Sequence, residues 1–238
     1  MHTIRNLFPR LFLSRLGAGA LGLIAVLPAG AAEKYVTPTG GGLFDGSNWA
    51  NAFSNIQQAV NASPNAGDVI YVQYGVYTNT VQIDVIDHPG LTIQGGYEGV
   101  GMDTGGVSIL SRDPAISNRI FYAEGSTVTV ERLTFCDGTA LRGMGLFLTN
   151  CNATLANCAI VSNRFTSGSQ YGMGAGLYAE DGTLTVRDTL IHGNGQFSGG
   201  SLHGSGMAAV RVAVSLVNVH FNTNAVFNTL QNDGYGLG

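Results

Sequence analysis

The side chains best suited to chemistry lie in the second half of the chain: Phe147, Tyr178, Asp188, His192 and His220. Asp188 lies at the turn just before His192, and each of the others sits beside an apolar residue in a run of alternating polarity, so strand parity turns it away from a core. Thr154, Thr185 and Ser215 fall into a parallel outward series. His192 and His220 are one sequence repeat apart and offset by two residues, which places their Cα atoms ~8 Å apart from strand and rung spacings. Aromatic rings that stack on apolar sugar faces, beside carboxylate, imidazole and hydroxyl groups that hydrogen-bond sugar hydroxyls, suit polysaccharide or cell-surface glycan. Catalysis asks for more. A hydrolase needs paired carboxylates at a defined separation, and a lyase needs a base, commonly with Ca²⁺ held by several acids. Glu180, Asp181 and Asp188 have no acid in the equivalent position one repeat away, and Asp181 aligns with Arg211 as a surface ion pair. No catalytic residue, metal site or cofactor is therefore assigned.

The elements that must position these residues repeat. A Gly-x-Gly-apolar phrase begins at Gly143, Gly174, Gly204 and Gly234, at intervals of 31, 30 and 30 residues. Asn163, Asn194 and Asn224 follow the second glycine of the three complete copies by 18 residues, each preceded three positions earlier by Ile160, Ile191 or Phe221. Between these marks apolar residues alternate: Leu146, Leu148, Ala153 and Leu155; then Leu177, Ala179, Leu184 and Val186; then Met207, Ala209, Val214 and Leu216. A period of two predicts strands, three short ones per repeat. So thin a repeat has no core of its own and must stack on its neighbours. The expected fold is an all-β parallel solenoid with equivalent residues ~4.8 Å apart. Stacked Asn163, Asn194 and Asn224 then form a structural amide ladder, and the glycine pairs suit turns with positive φ.

Earlier segments have other tasks. Residues 1–31 combine Arg5, Arg10 and Arg15, an apolar stretch at 16–27 and Ala29-Gly30-Ala31, the layout of a cleaved export signal. Beyond it, 8 basic face 15 acidic side chains, a balance that excludes nucleic acid as partner. No second apolar stretch would span a membrane from the mature chain. Residues 32–66 are expected to cap the solenoid. There a Ser54-x-x-Gln57 capping box opens a short helix whose Phe53, Ile56, Ala59 and Val60 share one face. Residues 67–238 supply the rungs, with strands at 69–72, 76–77, 81–85, 91–93, 120–122 and 128–135, and a Gly-rich edge loop across 95–114. Cys136, Cys151 and Cys158 occupy different columns and read as core or turn residues rather than a disulfide framework. The fourth Gly-x-Gly phrase opens a strand where the sequence stops. The reading at this point is a truncated C-terminus, or end-to-end self-association that covers the open edge.

The cassette Gly46-Ser47-Asn48-Trp49-Ala50-Asn51-Ala52-Phe53, with Gly67-Asp68-Val69-Ile70-Tyr71-Val72, Gly75-Val76-Tyr77-Thr78 and Gly95-Gly96-Tyr97-Glu98-Gly99, resembles the N-terminal part of exported bacterial right-handed parallel β-helix proteins of the pectate-lyase-like superfamily. The later phrases are similar to the Gly-Gly-Ala-Ile and Phe-x-x-Asn repeats of polymorphic outer membrane proteins. Phe221-x-x-Asn224 matches the second of these, while Ile160 and Ile191 replace its Phe. The resemblance covers residues 35–238 and implies a right-handed parallel β-helix with a short N-terminal capping helix, in a secreted, periplasmic or cell-surface protein. Such folds host lyases, hydrolases and adhesins alike. The functional expectation is adhesion or glycan contact through the outward face. The alternatives are a polysaccharide lyase or glycoside hydrolase whose catalytic rungs lie beyond residue 238, and a structural spacer. Val85-Ile86-Asp87-His88 resembles the Trp-Ile-Asp-His element of pectate lyases but lacks its Trp.

Overall fold

The computed structural model of the chain describes residues 30–165, 171–196 and 201–226. Residues 1–29, most of the expected export signal, and the fourth Gly-x-Gly phrase lie outside the described residues. The chain is nearly all β. In order it forms β1 (Glu33–Val36), α1 (Ile56–Asn61), β2 (Asp68–Gln73), β3 (Gly75–Asn79), β4 (Ile83–Ile86), β5 (Leu91–Tyr97) and β6 (Ser108–Arg112). Then come β7 (Phe121–Glu124), β8 (Thr127–Glu131), β9 (Leu133–Cys136), β10 (Leu146–Ala156), β11 (Ala159–Val161), β12 (Arg164–Phe165) and β13 (Tyr171–Met173). The last are β14 (Leu177–His192), β15 (Gly195–Gln196), β16 (Ser201–His203), β17 (Met207–Asn222) and β18 (Ala225–Val226).

Thirteen of these strands make one curled sheet, and each of its strand pairings is parallel. Strands pair with strands one repeat away, so Leu146 aligns with Leu177 and Leu177 with Met207. The repeat read from the sequence is thus the hydrogen-bonding register. Instead of three separate strands per repeat, β14 and β17 run through 16 residues each. Their bends fall at single residues in the left-handed region, and these too stack in columns. Asn150, Asp181 and Arg211 have φ of 52°, 56° and 54°, and Arg132, Asn157, Asp188 and Asn218 have φ between 52° and 55°. Asn and Asp tolerate this conformation; the arginines do so at a cost met by the pairing on either side.

These bends divide the sheet into three faces. Face A comprises β4, β7 and the first parts of β10, β14 and β17. Face B comprises β1, β2, β5, β8 and the middle parts of the long strands. Face C comprises β3, β6, β9, β11 and the last parts of β14 and β17. Inward columns such as Ile93, Val130, Leu155 and Val186, or Leu110, Phe135, Ile160 and Ile191, are at most 1% exposed. Each such side chain contributes about 1.5–3 kcal/mol by burial, against about 0.2–1 kcal/mol for a cross-strand pair on the outer surface. The core columns therefore set the register, because a one-residue slip would turn them to water. In β17 the inward Val214 and Leu216 stay 40% exposed, since no strand lies beyond it among the described residues.

Asn163, Asn194 and Asn224 are 0%, 1% and 7% exposed. Asn163 donates its backbone N–H (3.0 Å) and Nδ2 (2.9 Å) to Asn194 Oδ1, and Asn194 donates likewise to Asn224 Oδ1 at 3.1 and 3.0 Å. Their Nδ2 atoms also reach the carbonyls of Phe135, Ile160 and Ile191. The glycine pairs divide their labour. Gly143, Gly174 and Gly204 have φ of 53°, 56° and 64°, as expected for turns. Gly145 and Gly176 instead pass against the ladder, where a Cβ would lie 2.8 and 3.0 Å from the Asn163 and Asn194 amides. Room, and not φ, selects the second glycine.

Helix α1 packs Ile56, Ala59 and Val60 into the core. Its N-cap is Asn55, whose side chain accepts from Gln57 N at 2.7 Å; the capping box expected at Ser54 does not form. Gln57 is engaged elsewhere, pairing with both backbone groups of Asp84 on β4. Strand β1 already pairs with β2, so the sheet begins inside the segment expected to serve as cap. Strand β6 lies within the stretch expected to be a loop, held between β3 and β9. His88 bonds through Nε2 to the carbonyl of Ser63, which ties the turn after β4 to the end of α1. Cys136, Cys151 and Cys158 are free thiols. Burial pushes the Cys158 thiol up to about 11.

Candidate ligand-contact face

Outward side chains distinguish the three faces. On face A, Tyr122, Phe147 and Tyr178 are register neighbours and stack edge to face at 5.5 and 5.0 Å. Arg119 lies over Tyr122 and Phe147, and Arg142 over Tyr178. Tyr178 is only 2% exposed, and its hydroxyl donates to Glu180 at 3.2 Å. On face C, Asp188 and His220 line a groove of about 480 Å³ with Arg132, Ala159, Leu190 and Asn218. Asn218 Nδ2 donates to Asp188 Oδ1 at 2.8 Å. His220 aligns with Leu190, and His192 with Asn222 in the next outward column. The five residues singled out from the sequence thus fall into two places: Phe147 and Tyr178 on face A, Asp188, His192 and His220 at the edge of face B and on face C. Arg211 pairs with Asp181 at 2.8 Å and Glu180 at 2.7 Å in an exposed cluster. Among the described residues no three His, Cys, Asp or Glu side chains are placed to hold a metal ion, and no helix is long and apolar enough to cross a membrane.

Face B carries a denser set at its N-terminal end. Tyr35 and Tyr71 are register partners on β1 and β2, with ring centroids 5.4 Å apart. Trp49 arrives from the loop after β1 and meets Tyr35 at 4.8 Å and Tyr97 at 5.9 Å; Tyr97 meets Tyr71 at 5.1 Å. Tyr97 is 5% exposed and forms the floor, while Tyr35, Trp49 and Tyr71 each keep part of their ring in solvent. Trp49 Nε1 donates to the Gly101 carbonyl at 2.6 Å, fixing the indole. Polar groups border the rings. Glu33 accepts from the hydroxyls of Tyr35 (2.9 Å) and Tyr71 (3.2 Å). Tyr97 Oη donates to Gln94 Oε1 at 2.9 Å, and Gln94 Nε2 to Glu131 at 3.1 Å. Arg132 lies 5.4 Å from the Tyr97 ring, and Glu131 is paired with Arg132 and Arg187 at 3.4 and 3.2 Å.

Burial, with Glu33 beside it, pushes the Tyr35 phenol up to about 12 and raises that of Tyr71; burial likewise raises Tyr97. All three are hydrogen-bond donors at any physiological pH. A phenol whose folded pKa exceeds its unfolded value, about 10, stabilises the fold fully below pH 10 and loses that contribution as pH rises toward 12. The melting temperature is therefore expected to fall between pH 10 and 12, and less steeply in Tyr35→Phe. Thermal melts across that range, beside tyrosinate absorbance, provide the check; identical slopes for the two proteins would exclude Tyr35 as a contributor.

The ring cluster escaped the sequence reading as a site because Tyr35, Trp49, Tyr71 and Tyr97 stand outside the regular repeats. The available signal was the twin Tyr-Val dipeptides at Tyr35-Val36 and Tyr71-Val72, which the sheet pairs directly. Compared with protein-family models, curated proteins and solved structures, the chain matches none.

Proposed function

We propose that the chain is a right-handed parallel β-helix of an exported, secreted or cell-surface protein, and that it contacts glycans through its outward surface. The handedness and the exported location rest on the sequence resemblance and the leader. The ring cluster of face B carries the functional reading. Three partly exposed rings and the buried Tyr97 form one contiguous cluster, bordered by carboxylate, amide and guanidinium groups. Rings offer a stacking surface for the C–H face of a sugar, and the planar polar groups beside them match sugar hydroxyls. Phe147 and Tyr178 make a weaker platform, because Tyr178 is only 2% exposed and Arg119 and Arg142 already lie over the two rings.

The test is retardation of the purified chain in gels cast with a panel of soluble polysaccharides, repeated with Trp49→Ala, Tyr71→Ala and Phe147→Ala. Centrally placed aromatic anchors commonly account for about 2 kcal/mol or more, so the first two variants are expected to bind at least tenfold more weakly, with Phe147→Ala near the parent. Absence of retardation by every polysaccharide, with the circular dichroism of a folded β protein, would defeat the proposal.

A further inference from the structure

Face B continues beyond the rings as a ladder of hydroxyls. Thr92, Thr129, Thr154, Thr185 and Ser215 are register partners on five successive strands. All five are partly or fully exposed, and none of their hydroxyls has a protein partner among the described residues. Two buried hydroxyls of the fold behave differently. Thr189, 1% exposed, donates to the Arg187 carbonyl at 2.8 Å, and Ser126, 3% exposed, to the carbonyls of Val85 and Glu124. The ladder thus leaves donors and acceptors unused at a constant interval of ~4.8 Å, close to the advance of one sugar in an extended chain. From Thr92 to Ser215 it covers four strand spacings, roughly 19 Å.

The borders of the ladder define what fits it. On one side run Thr127, Asn152, Thr183 and Ala213, with Thr183 Oγ1 donating to Asn152 Oδ1 at 2.8 Å. On the other run Tyr35, Tyr71, Gln94, Glu131, Ala156 and Arg187. Ala156 is 0% exposed, with Arg187 reaching across its strand to Glu131, and the Glu131 charge is answered by Arg132 and Arg187. The strip is hydrophilic and without a surplus of either charge.

We infer that face B holds a linear, neutral polysaccharide in extended form, parallel to the direction in which the repeats stack. The ring cluster seats one end, and Thr92, Thr129, Thr154, Thr185 and Ser215 hydrogen-bond one sugar each. This rests on the reading that the rings bind glycan and adds its orientation, length and charge class.

Calorimetric titration with β-1,4-linked gluco-oligosaccharides of two to seven sugars tests it, with oligogalacturonates of equal length as the charged comparison. Affinity should rise at least tenfold between two and five sugars and then level off, with neutral chains bound better than acidic ones. The triple variant Thr129→Val, Thr154→Val, Thr185→Val keeps β-branched residues in the strands, so its melting temperature should hold. Its affinity for five sugars should drop to that for two. Equal affinity for all lengths, or a triple variant indistinguishable from the parent, overturns the ladder and leaves the ring cluster standing as a short site. Preference for the acidic series overturns the neutral class. Failure of every oligosaccharide to bind overturns the glycan reading along with the ladder.

Discussion

Asn194→Ala is expected to lower the unfolding free energy by about 3 kcal/mol or more, the loss of two or more buried hydrogen-bond partners at about 1–3 kcal/mol each. Asn194 Oδ1 is the acceptor for both the backbone N–H and the Nδ2 of Asn163, and its own Nδ2 satisfies the Ile160 carbonyl. Alanine removes these three contacts and the Nδ2 bond to Asn224 Oδ1 at a position 1% exposed, where water does not readily replace them. A surface amide supplies the control. Asn218 also donates to a neighbouring repeat, to Asp188 at 2.8 Å, but in solvent, so Asn218→Ala should cost only the roughly 1–2 kcal/mol of placing alanine at a φ of 53°. Urea denaturation of the two variants beside the parent decides the matter. If Asn194→Ala shifts the midpoint no more than Asn218→Ala, the ladder is an incidental consequence of stacking and does not hold the repeats together.

Gly176→Ala should destabilise on a similar scale for a different reason. A Cβ there would lie 2.4 Å from the carbonyl oxygen of Gly206 and 3.0 Å from Asn194 Nδ2. The nearer obstacle is backbone of the adjoining repeat, which cannot rotate away like a side-chain end. Relief requires the two repeats to separate locally, at about 1–3 kcal/mol for an overpacked position and occasionally more. Gly193 offers the contrast. A Cβ there meets Ser162 Oγ at 3.9 Å and nothing closer, although φ is 63°. Asparagine tolerates that backbone conformation, so Gly193→Asn should be nearly neutral. Midpoints from the same urea series read both. A neutral Gly176→Ala would mean that the repeats can spread at no cost. Because the Gly176 and Asn194 sites touch, the double variant should lose less than the sum of the single losses.

Much of this was legible in the sequence because it is periodic. The 30-residue interval predicts which residues stack, alternation predicts which point inward, and both follow from the two-residue period of a strand and the constant spacing of parallel strands. Leu146 with Leu177, and Asn163 with Asn194, could be paired before any coordinates. The glycine pair was half legible. Its first member answers to φ, a local property, while its second answers to the position of an amide 18 residues further on in the same repeat, which composition does not reveal. Residues bending the long strands were hidden for a related reason. One left-handed residue suffices for each bend, and Arg211 within β17, like Arg132 between β8 and β9, is a type that carries no signal for it. The N-cap moved from Ser54 to Asn55 because Gln57 has a stronger claim elsewhere, on the backbone of β4.

The sequence by itself determined the stacking of parallel repeats, the composition of the inward columns and the amide ladder, all of which repeat at a fixed interval and so can be aligned without knowing the path between copies. Only the tertiary structure decided which outward residues share a face. Phe147 and Tyr178 stay together but lie apart from His192 and His220, and Tyr35, Trp49, Tyr71 and Tyr97 come together from the irregular first turns. There the connecting segments differ in length and one loop folds back over β1 and β2, so proximity depends on a chain path that strand parity does not encode.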